Sequence, residues 1–330
     1  MSPLFPLEAL YDAREVVGSV FDSTPQYRWP LLKQRTGVDV WVKHENHTPT
    51  GAFKARGGLV FMERLHRKNR LPPGFITATR GNHGQSIPFA ARRYGVPVTV
   101  YVPEGNSVEK NRAMEAWGAT LVVHGQDFDE AREECTRVAA EQGLTLVPSF
   151  HPDLVLGVAT YAYELLTAVH GLHTVYVPIG MGSGVCGLVT VRDLLGLDTR
   201  IVGVVSTGAP AYALSFEAGS VVQTNEARTF ADGVACRVPD PTALAIIREG
   251  VERVVQVTDD EVAEAIRVLY ADTHNVAEGA GAAALAALLA DLAVKGPRRF
   301  NGRPVGVIQT GGNIDTGVLA TVLSGGTPVV

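Results

Sequence analysis

Short apolar runs rich in β-branched residues alternate with longer segments of helical period almost from one end of the chain to the other. Runs at 38–43, 75–79, 98–102, 120–123, 174–177, 201–205, 254–257 and 305–309 predict strands. The spacing of apolar positions predicts helices over 82–94, 108–117, 128–142, 153–170, 259–273 and 280–292. Strands that are apolar on both faces and joined by helices belong to parallel sheets covered on both sides. The expected fold class is therefore α/β, with two parallel-type α/β domains. Proline-rich turns at 69–74 and 148–152 bracket one strand–helix series. We expect 69–149 to form a smaller domain inserted into a larger one made of 1–68 and 150–330, with ligands held at strand ends in the cleft between them.

Composition narrows the class. The chain has 330 residues, 46% of them hydrophobic, and a net charge of −5. That fits a soluble globular protein and implies neither nucleic acid nor an anionic membrane as partner. The N-terminal residues Met1 to Pro6 show no basic region followed by an apolar core, so no signal peptide is expected. The longest apolar stretch, 277–294, is interrupted by Glu278 and Asp291 and reads as a buried helix, not a membrane span. Three scattered cysteines, Cys135, Cys186 and Cys236, argue against a disulfide framework and suit the cytoplasm. His44, His47, His124, His151 and His274 have no carboxylate or cysteine at ligand spacing, and no metal is expected. They read as structural or pocket-lining.

Four motifs carry candidate chemistry. In the first, Lys54 follows the turn Thr48-Pro49-Thr50-Gly51, beside Phe53, where a helix should begin. An amine held in this way can lose its proton and form a Schiff base with a carbonyl. Taken alone, an ordinary first-turn lysine is the favoured reading. In the second, Thr79-Arg80-Gly81-Asn82-His83-Gly84-Gln85 follows a strand and opens a helix. The free first-turn amides suit an anion such as a substrate α-carboxylate, and a plain turn capped by Asn82 is an equal alternative. The third is the glycine-rich Gly180-Met181-Gly182-Ser183-Gly184, a candidate phosphate loop. It also contains G-x-G-x-x-G, but the next strand ends at Val205-Ser206 with no carboxylate for a ribose, which weakens a dinucleotide reading. The fourth, Gln309-Thr310-Gly311-Gly312-Asn313, offers the Thr310 hydroxyl to a ring nitrogen, or else forms a strand-end turn. Glu278 opens an apolar helix and is a candidate polar group of the pocket, or a first-turn acid favoured by the helix dipole.

Together these motifs resemble the serine/threonine dehydratase family of pyridoxal-phosphate enzymes, of the tryptophan-synthase-β-like fold type (fold type II), over about residues 21–323. Phe53-Lys54-Ala55-Arg56-Gly57 is similar to the family's Ser-Phe-Lys-x-Arg-Gly, and Gly81-Asn82-His83-Gly84-Gln85 matches its Gly-Asn-His-Gly-Gln. Gly180 to Ser183 occupies the tetraglycine loop, and Thr310-Gly311-Gly312-Asn313 matches Ser/Cys-Gly-Gly-Asn. Ala231-Asp232-Gly233 and Ala277-Glu278-Gly279-Ala280-Gly281 are also similar to family signatures. The resemblance implies pyridoxal 5′-phosphate in the cleft between the domains, with Lys54 as Schiff-base lysine and catalytic base. It implies cofactor contacts from Phe53, Asn82, Gly180, Met181, Gly182, Ser183, Gly184, Glu278 and Thr310, with Asn82 against the ring hydroxyl and Thr310 on the pyridine nitrogen. Thr79, Arg80, Gly81, Asn82 and His83 would bind substrate.

The departures are informative. The tetraglycine has become Gly-Met-Gly-Ser, and the usual serine before Phe-Lys is Ala52. Arg80 stands where the family's racemase has a serine acting as second acid/base; arginine cannot serve as a base, which disfavours racemisation. Residues 206–210 lack the carboxylate of the racemase cation site, so no divalent metal is expected there. Arg80 could pair with a substrate carboxylate, stack on an aromatic ring, brace the cofactor loop or face solvent. The expected activity is elimination of water from a β-hydroxy-α-amino acid of threonine or serine type, extending to phenylserine or 3-hydroxyaspartate, to give a 2-oxo acid and ammonia. The alternatives are a β-replacement synthase or racemase of the same fold and, further off, a dinucleotide-dependent oxidoreductase or a non-catalytic ligand-binding relative. A homodimer or higher homo-oligomer is expected.

Overall fold

The computed structural model describes residues 3–126 and 128–329. Met1 and Ser2, part of the stretch read for a leader, lie outside them. Among the described residues, ten strands form two sheets: β1 Gln26–Arg28, β2 Val40–His44, β3 Phe75–Ala78, β4 Val98–Val102, β5 Ala119–Val123, β6 Thr145–Leu146, β7 Thr174–Pro178, β8 Arg200–Ser206, β9 Arg253–Val257 and β10 Val305–Gln309. The α-helices are α1 Leu7–Gly18, α2 Pro30–Thr36, α3 Lys54–Arg67, α4 Asn82–Ala91, α5 Val108–Ala116, α6 Phe128–Gln142, α7 Pro152–Ala168, α8 Ser183–Leu194, α9 Ala211–Ala218, α10 Pro241–Gly250, α11 Asp259–Thr273, α12 Gly279–Lys295 and α13 Thr316–Leu323.

One sheet has the order β1-β2-β10-β7-β8-β9 and the other β5-β4-β3-β6. All pairs are parallel except β1 with β2. Burial on both faces explains the apolar runs. Along β7, Val175 and Val177 join the core built with α7 and α8, while Tyr176 between them joins the core built with α11 and α12. Helix α12 is rich in alanine, and its small side chains let it lie across β7, β8, β9 and β10. The four-stranded sheet is covered by α6 on one face and by α3 and α4 on the other. The antiparallel β1 departs from the all-parallel expectation. It is three residues, Gln-Tyr-Arg, at a sheet edge, with no apolar run to announce it.

Helix α3 fixes the position of Lys54, which is its first residue. It crosses α7 so closely that side chains are excluded. A β-carbon at Gly157 would lie 2.3 Å from the Arg56 carbonyl oxygen, and one at Gly57 would lie 2.8 Å from that of Leu154. A buried network of four charges lies beneath the crossing. Arg56 donates from Nε and Nη2 to Glu45, and from Nη1 and Nη2 to Glu164, with further bonds to Thr160 and Thr24. Lys43 donates to Glu164, Gln26 and the Thr24 carbonyl. Burial works against the Arg56 charge, but Glu45 and Glu164 outweigh it and raise its pKa. Burial lowers the pKa of Lys43 against the pull of the same two carboxylates.

Replacing Gly157 by alanine should destabilise the protein by about 1–3 kcal/mol, because the methyl group meets backbone that cannot turn aside. Gly18, with nothing within 4 Å of a built β-carbon, is the control, and Gly18→Ala should leave stability unchanged or slightly raised. Urea midpoints of the two variants measure the contrast; equal midpoints would remove the close-crossing argument.

Candidate active site

The loops after β2, β3, β7 and β10 converge at the carboxyl ends of their strands, where parallel sheets hold ligands. After β2 and the turn at 48–53, Phe53 N–H donates to the Thr310 carbonyl at 3.0 Å, and Ala52 bridges to Gly311. The start of α3 is thereby tied to the end of β10. The Ser86 hydroxyl, from α4, donates to the Lys54 carbonyl at 2.6 Å. The Lys54 amine sits 4.9 Å from the centroid of the Phe53 ring. Burial lowers its pKa to about 8, with Glu278 opposing. At neutral pH a usable fraction of this amine is unprotonated, unlike an exposed lysine.

After β7, the chain turns through Gly180, Met181 and Gly182 into α8. Gly182 has φ +98° and caps α8 with no side chain, so the first amides of the helix face an open position. The Tyr212 hydroxyl donates to the Met181 carbonyl at 3.1 Å and the Tyr161 hydroxyl to that of Gly184 at 2.9 Å, which clamps the loop from behind. Free amides at the positive end of a helix form an anion site.

After β3, Gly81 N–H bonds to the Thr79 hydroxyl at 3.0 Å. The capped-turn alternative for Asn82 does not hold: Gly81 is the N-cap, and Asn82 makes no cap bond. Its amide instead donates to Glu278 Oε1 at 2.6 Å and accepts from the Asn313 amide at 2.8 Å. His83 is buried, 3.5 Å from the Val147 carbonyl, and burial with the nearby Lys54 lowers its pKa to about 3, so it is neutral. Thr79 is buried, whereas Arg80 is exposed and makes no ion pair among the described residues.

Ten sequence-predicted residues line a single cavity of about 390 Å³, its open mouth included: Phe53, Lys54, Asn82, Gly180, Met181, Gly182, Ser183, Gly184, Glu278 and Thr310. Thr79, Arg80, Gly81 and His83 lie on the adjoining loop and helix start but not on its lining. Glu278 is the N-cap of α12 yet makes no cap bond with its side chain. Two groups beside it escape the sequence reading. Lys110, on α5, is buried, bonds to Asp232 and lies 3.5 Å from Glu278 Oε2. In sequence, Lys110 is one charge among several in Val-Glu-Lys-Asn-Arg, with nothing to mark it. Asp232 belongs to the family-like Ala231-Asp232-Gly233, a match that carries no role for its side chain. Burial pushes the Glu278 carboxyl up to about 7, with Lys110 opposing. Burial also works against the Lys110 ammonium, but Asp232 and Glu278 outweigh it and raise its pKa. Of the histidines read as structural, His44 accepts from the Trp29 indole at 3.0 Å, faces Gln309 at 2.9 Å, and is lowered to about 4 by burial.

Comparison with known proteins places the chain. The pyridoxal-phosphate dependent enzyme family matches residues 20–311. The chain is 37% identical over 296 residues to an L-threonine ammonia-lyase of Geobacter sulfurreducens, covering 89% of this chain and 72% of the relative. It is 34% identical over 315 residues to an L-threo-3-hydroxyaspartate ammonia-lyase of a Pseudomonas species, covering 95% and 97% respectively. Its fold matches that of the processed threonine deaminase isoform 2 of Solanum lycopersicum with a TM-score of 0.86 at 28% identity, covering 97% of this chain and 94% of the other. With a lysine, an open helix N-terminus and the Asn82–Glu278 pair around one cavity, the chain belongs to the pyridoxal-phosphate dependent enzyme family.

Proposed function

We propose that this enzyme removes water from a β-hydroxy-α-amino acid, releasing a 2-oxo acid and ammonia. The observation that carries the reading is the single cavity walled by Lys54, the open N-terminus of α8, Asn82, Glu278 and Thr310. The residues present fit pyridoxal phosphate: an anion-binding helix start for the phosphate, an amine of lowered pKa for the aldehyde, and a neutral hydroxyl at Thr310 for the ring nitrogen. When bound, the cofactor supplies the electron sink that makes the α-proton acidic. Lys54 takes that proton as general base. Backbone amides of the 79–83 loop, at the start of α4, receive the substrate carboxylate. A neutral His83 behind the loop adds shape without adding charge.

The ammonia-lyases acting on threonine and on 3-hydroxyaspartate support a β-hydroxy amino acid as substrate. Arg80 is exposed beside the loop and off the cavity lining, a cation free among the described residues and available at the rim to a substrate that brings a second carboxylate. We further propose a cytoplasmic homodimer or higher homo-oligomer, with 69–149 as a separate smaller domain. The confinement of all four strands of one sheet to 75–146 supports the division, and three buried, unpaired cysteines suit a reducing compartment.

Lys54→Ala should lose both the visible absorbance of bound cofactor and keto-acid release. Retention of either would sink the assignment of Lys54. Across serine, threonine, both β-epimers of hydroxyaspartate, and phenylserine, Arg80→Ser should lower kcat/KM on hydroxyaspartate by about 10-fold or more, the loss of one charge-assisted contact, and leave threonine unaffected. An unchanged ratio would show that Arg80 does not select substrate. Light scattering should give a mass at least twice that of one chain; a monomer would refute the assembly.

A further inference from the structure

The loop at 79–83 runs through Gly84 into α4, and this turn stands on α5. A β-carbon at Gly81 would lie 3.2 Å from Lys110 Cδ and 3.4 Å from its Nζ, and one at Gly84 would lie 2.8 Å from Met114 Sδ. Lys110 and Met114 are one helical turn apart, on the same face of α5, and both are buried. The backbone of the turn therefore rests directly on these two side chains. The turn and α5 belong with the four-stranded sheet, whereas the phosphate loop after β7 belongs with the six-stranded one. One substrate molecule has to meet both, so the two must be held in register.

Three bonds fasten the first turn of α5 to the unit of the larger sheet. The Ser107 hydroxyl accepts from the Lys110 N–H at 3.0 Å and donates to Asp315 at 2.5 Å. Glu109 accepts from the Thr316 N–H at 3.0 Å. Lys110 donates to Asp232 at 2.5 Å, and of the three this is the bond whose donor also touches the turn.

We infer that Lys110 is a positioning residue for the substrate: bonded to Asp232 across the two units, it sets the height of the 79–84 turn and with it the place of the substrate carboxylate relative to Lys54. This rests on the dehydratase reading of the same site. Lys110 is off the cavity lining and acts through the turn. Asp232 and Glu278 both face its ammonium, so its charge is matched within the protein. What it supplies to the turn is place rather than attraction. Glu278 in turn accepts from the Asn82 amide at 2.6 Å, so the one ammonium braces the turn at Gly81 directly and at Asn82 through a carboxylate. A carboxylate that takes no part in bond breaking is bound alike in substrate and transition state. A displaced turn therefore weakens binding and spares the chemical step.

The experiment separates KM from kcat. Asp232→Asn removes the charge that holds Lys110 and leaves Glu278 beside it. On whichever of threonine, serine and hydroxyaspartate the unmodified enzyme turns over fastest, KM should rise about 10-fold, the loss of one charge-assisted hydrogen bond. The kcat should stay within about 3-fold, as expected where uniform binding is lost. Lys110→Met should raise KM alike, and the double variant should be no worse than Lys110→Met, because the two residues act through one bond. Additive rises, an unchanged KM, or a fall in kcat alone would overturn the proposal. Asp232 has a side chain 27% exposed, and its variant decides the matter where Lys110→Met does not fold. Hydrogen exchange supplies a readout without turnover. In Asp232→Asn, backbone amides of 79–91 should exchange faster while those of 180–194 keep their rate; equal acceleration in both segments, or in neither, also overturns it. Cofactor content and visible absorbance should match the unmodified enzyme, and their loss would make the bond a support of the fold and refute the positioning role. Failure of the dehydratase reading is separable. The unmodified enzyme would then turn over no β-hydroxy substrate, while the exchange contrast between the two segments would remain.

Discussion

A guanidinium with no exposed surface, two residues from Lys54, governs the geometry of this protein. Arg56 cannot give up its charge, so every N–H it carries needs an acceptor. Glu45 comes from the turn after β2, Glu164 from α7, Thr24 from ahead of β1, and Arg56 itself from α3. Satisfying one side chain therefore brings four separate stretches of chain to one point. Such a network adds little net stability over an apolar core of the same shape. What it supplies is position. The start of α3 cannot slide along α7 without stranding a charge, and the bare contact of Gly57 and Gly157 leaves no room to tilt. Lys54 then emerges from a helix whose placement is settled on both sides.

A second group of charges obeys the opposite logic. Around Arg56 each cation has its anions at bonding distance, and the charges are held permanently. Around Glu278 the balance is left incomplete. Two carboxyls share one ammonium, Lys110, and Asp232 holds it more closely than Glu278 does. Burial penalises the ion left over, so Glu278 holds its proton more firmly than a carboxyl in water, whereas in the first network Arg56 and Lys43 outweigh burial and lower the pKa of Glu164. The nearby amine is shifted in the complementary direction, down to about 8. Groups whose pKa values approach one another from opposite sides exchange protons at little cost, whereas permanent pairs such as Arg56 and Glu45 cannot.

The strands of the large sheet were legible because they are buried on both faces: 174–177 and 305–309 fall within or on β7 and β10. The edge strand β1 was not, since Gln26, Tyr27 and Arg28 carry no apolar pattern and owe their conformation to pairing with β2. Helix 82–94 ends early as an α-helix at Ala91 and continues as a single tighter turn, Arg92–Tyr94, before Gly95. Local sequence also suggested that Asn82 caps its helix, but a buried carboxylate from a stretch almost two hundred residues away is the better partner. Lys110 was illegible for the same reason. Its neighbours Val108, Glu109 and Arg112 look like a solvated helix face, and only the docking of α5 against the 231–233 loop buries it. Motifs reveal which loops meet; they do not reveal which ordinary lysine the meeting encloses.

Asn82 shows how much a single long-range bond can decide. An amide side chain has two orientations that local packing hardly distinguishes. Here Asn313 donates to its oxygen, and Glu278 accepts from its nitrogen. Reversing the amide would set two donors against each other on one side and two acceptors on the other. The orientation is thus settled by the loops after β10 and before α12, not by the helix that carries Asn82. One of its two N–H groups remains for an acceptor in the cavity that Asn82 lines. Because Asn313 also donates to the Thr50 carbonyl, the chain of bonds runs on to the turn before Lys54. The amine, the amide and the carboxyl therefore share one framework, and a shift in any of the three loops displaces them together.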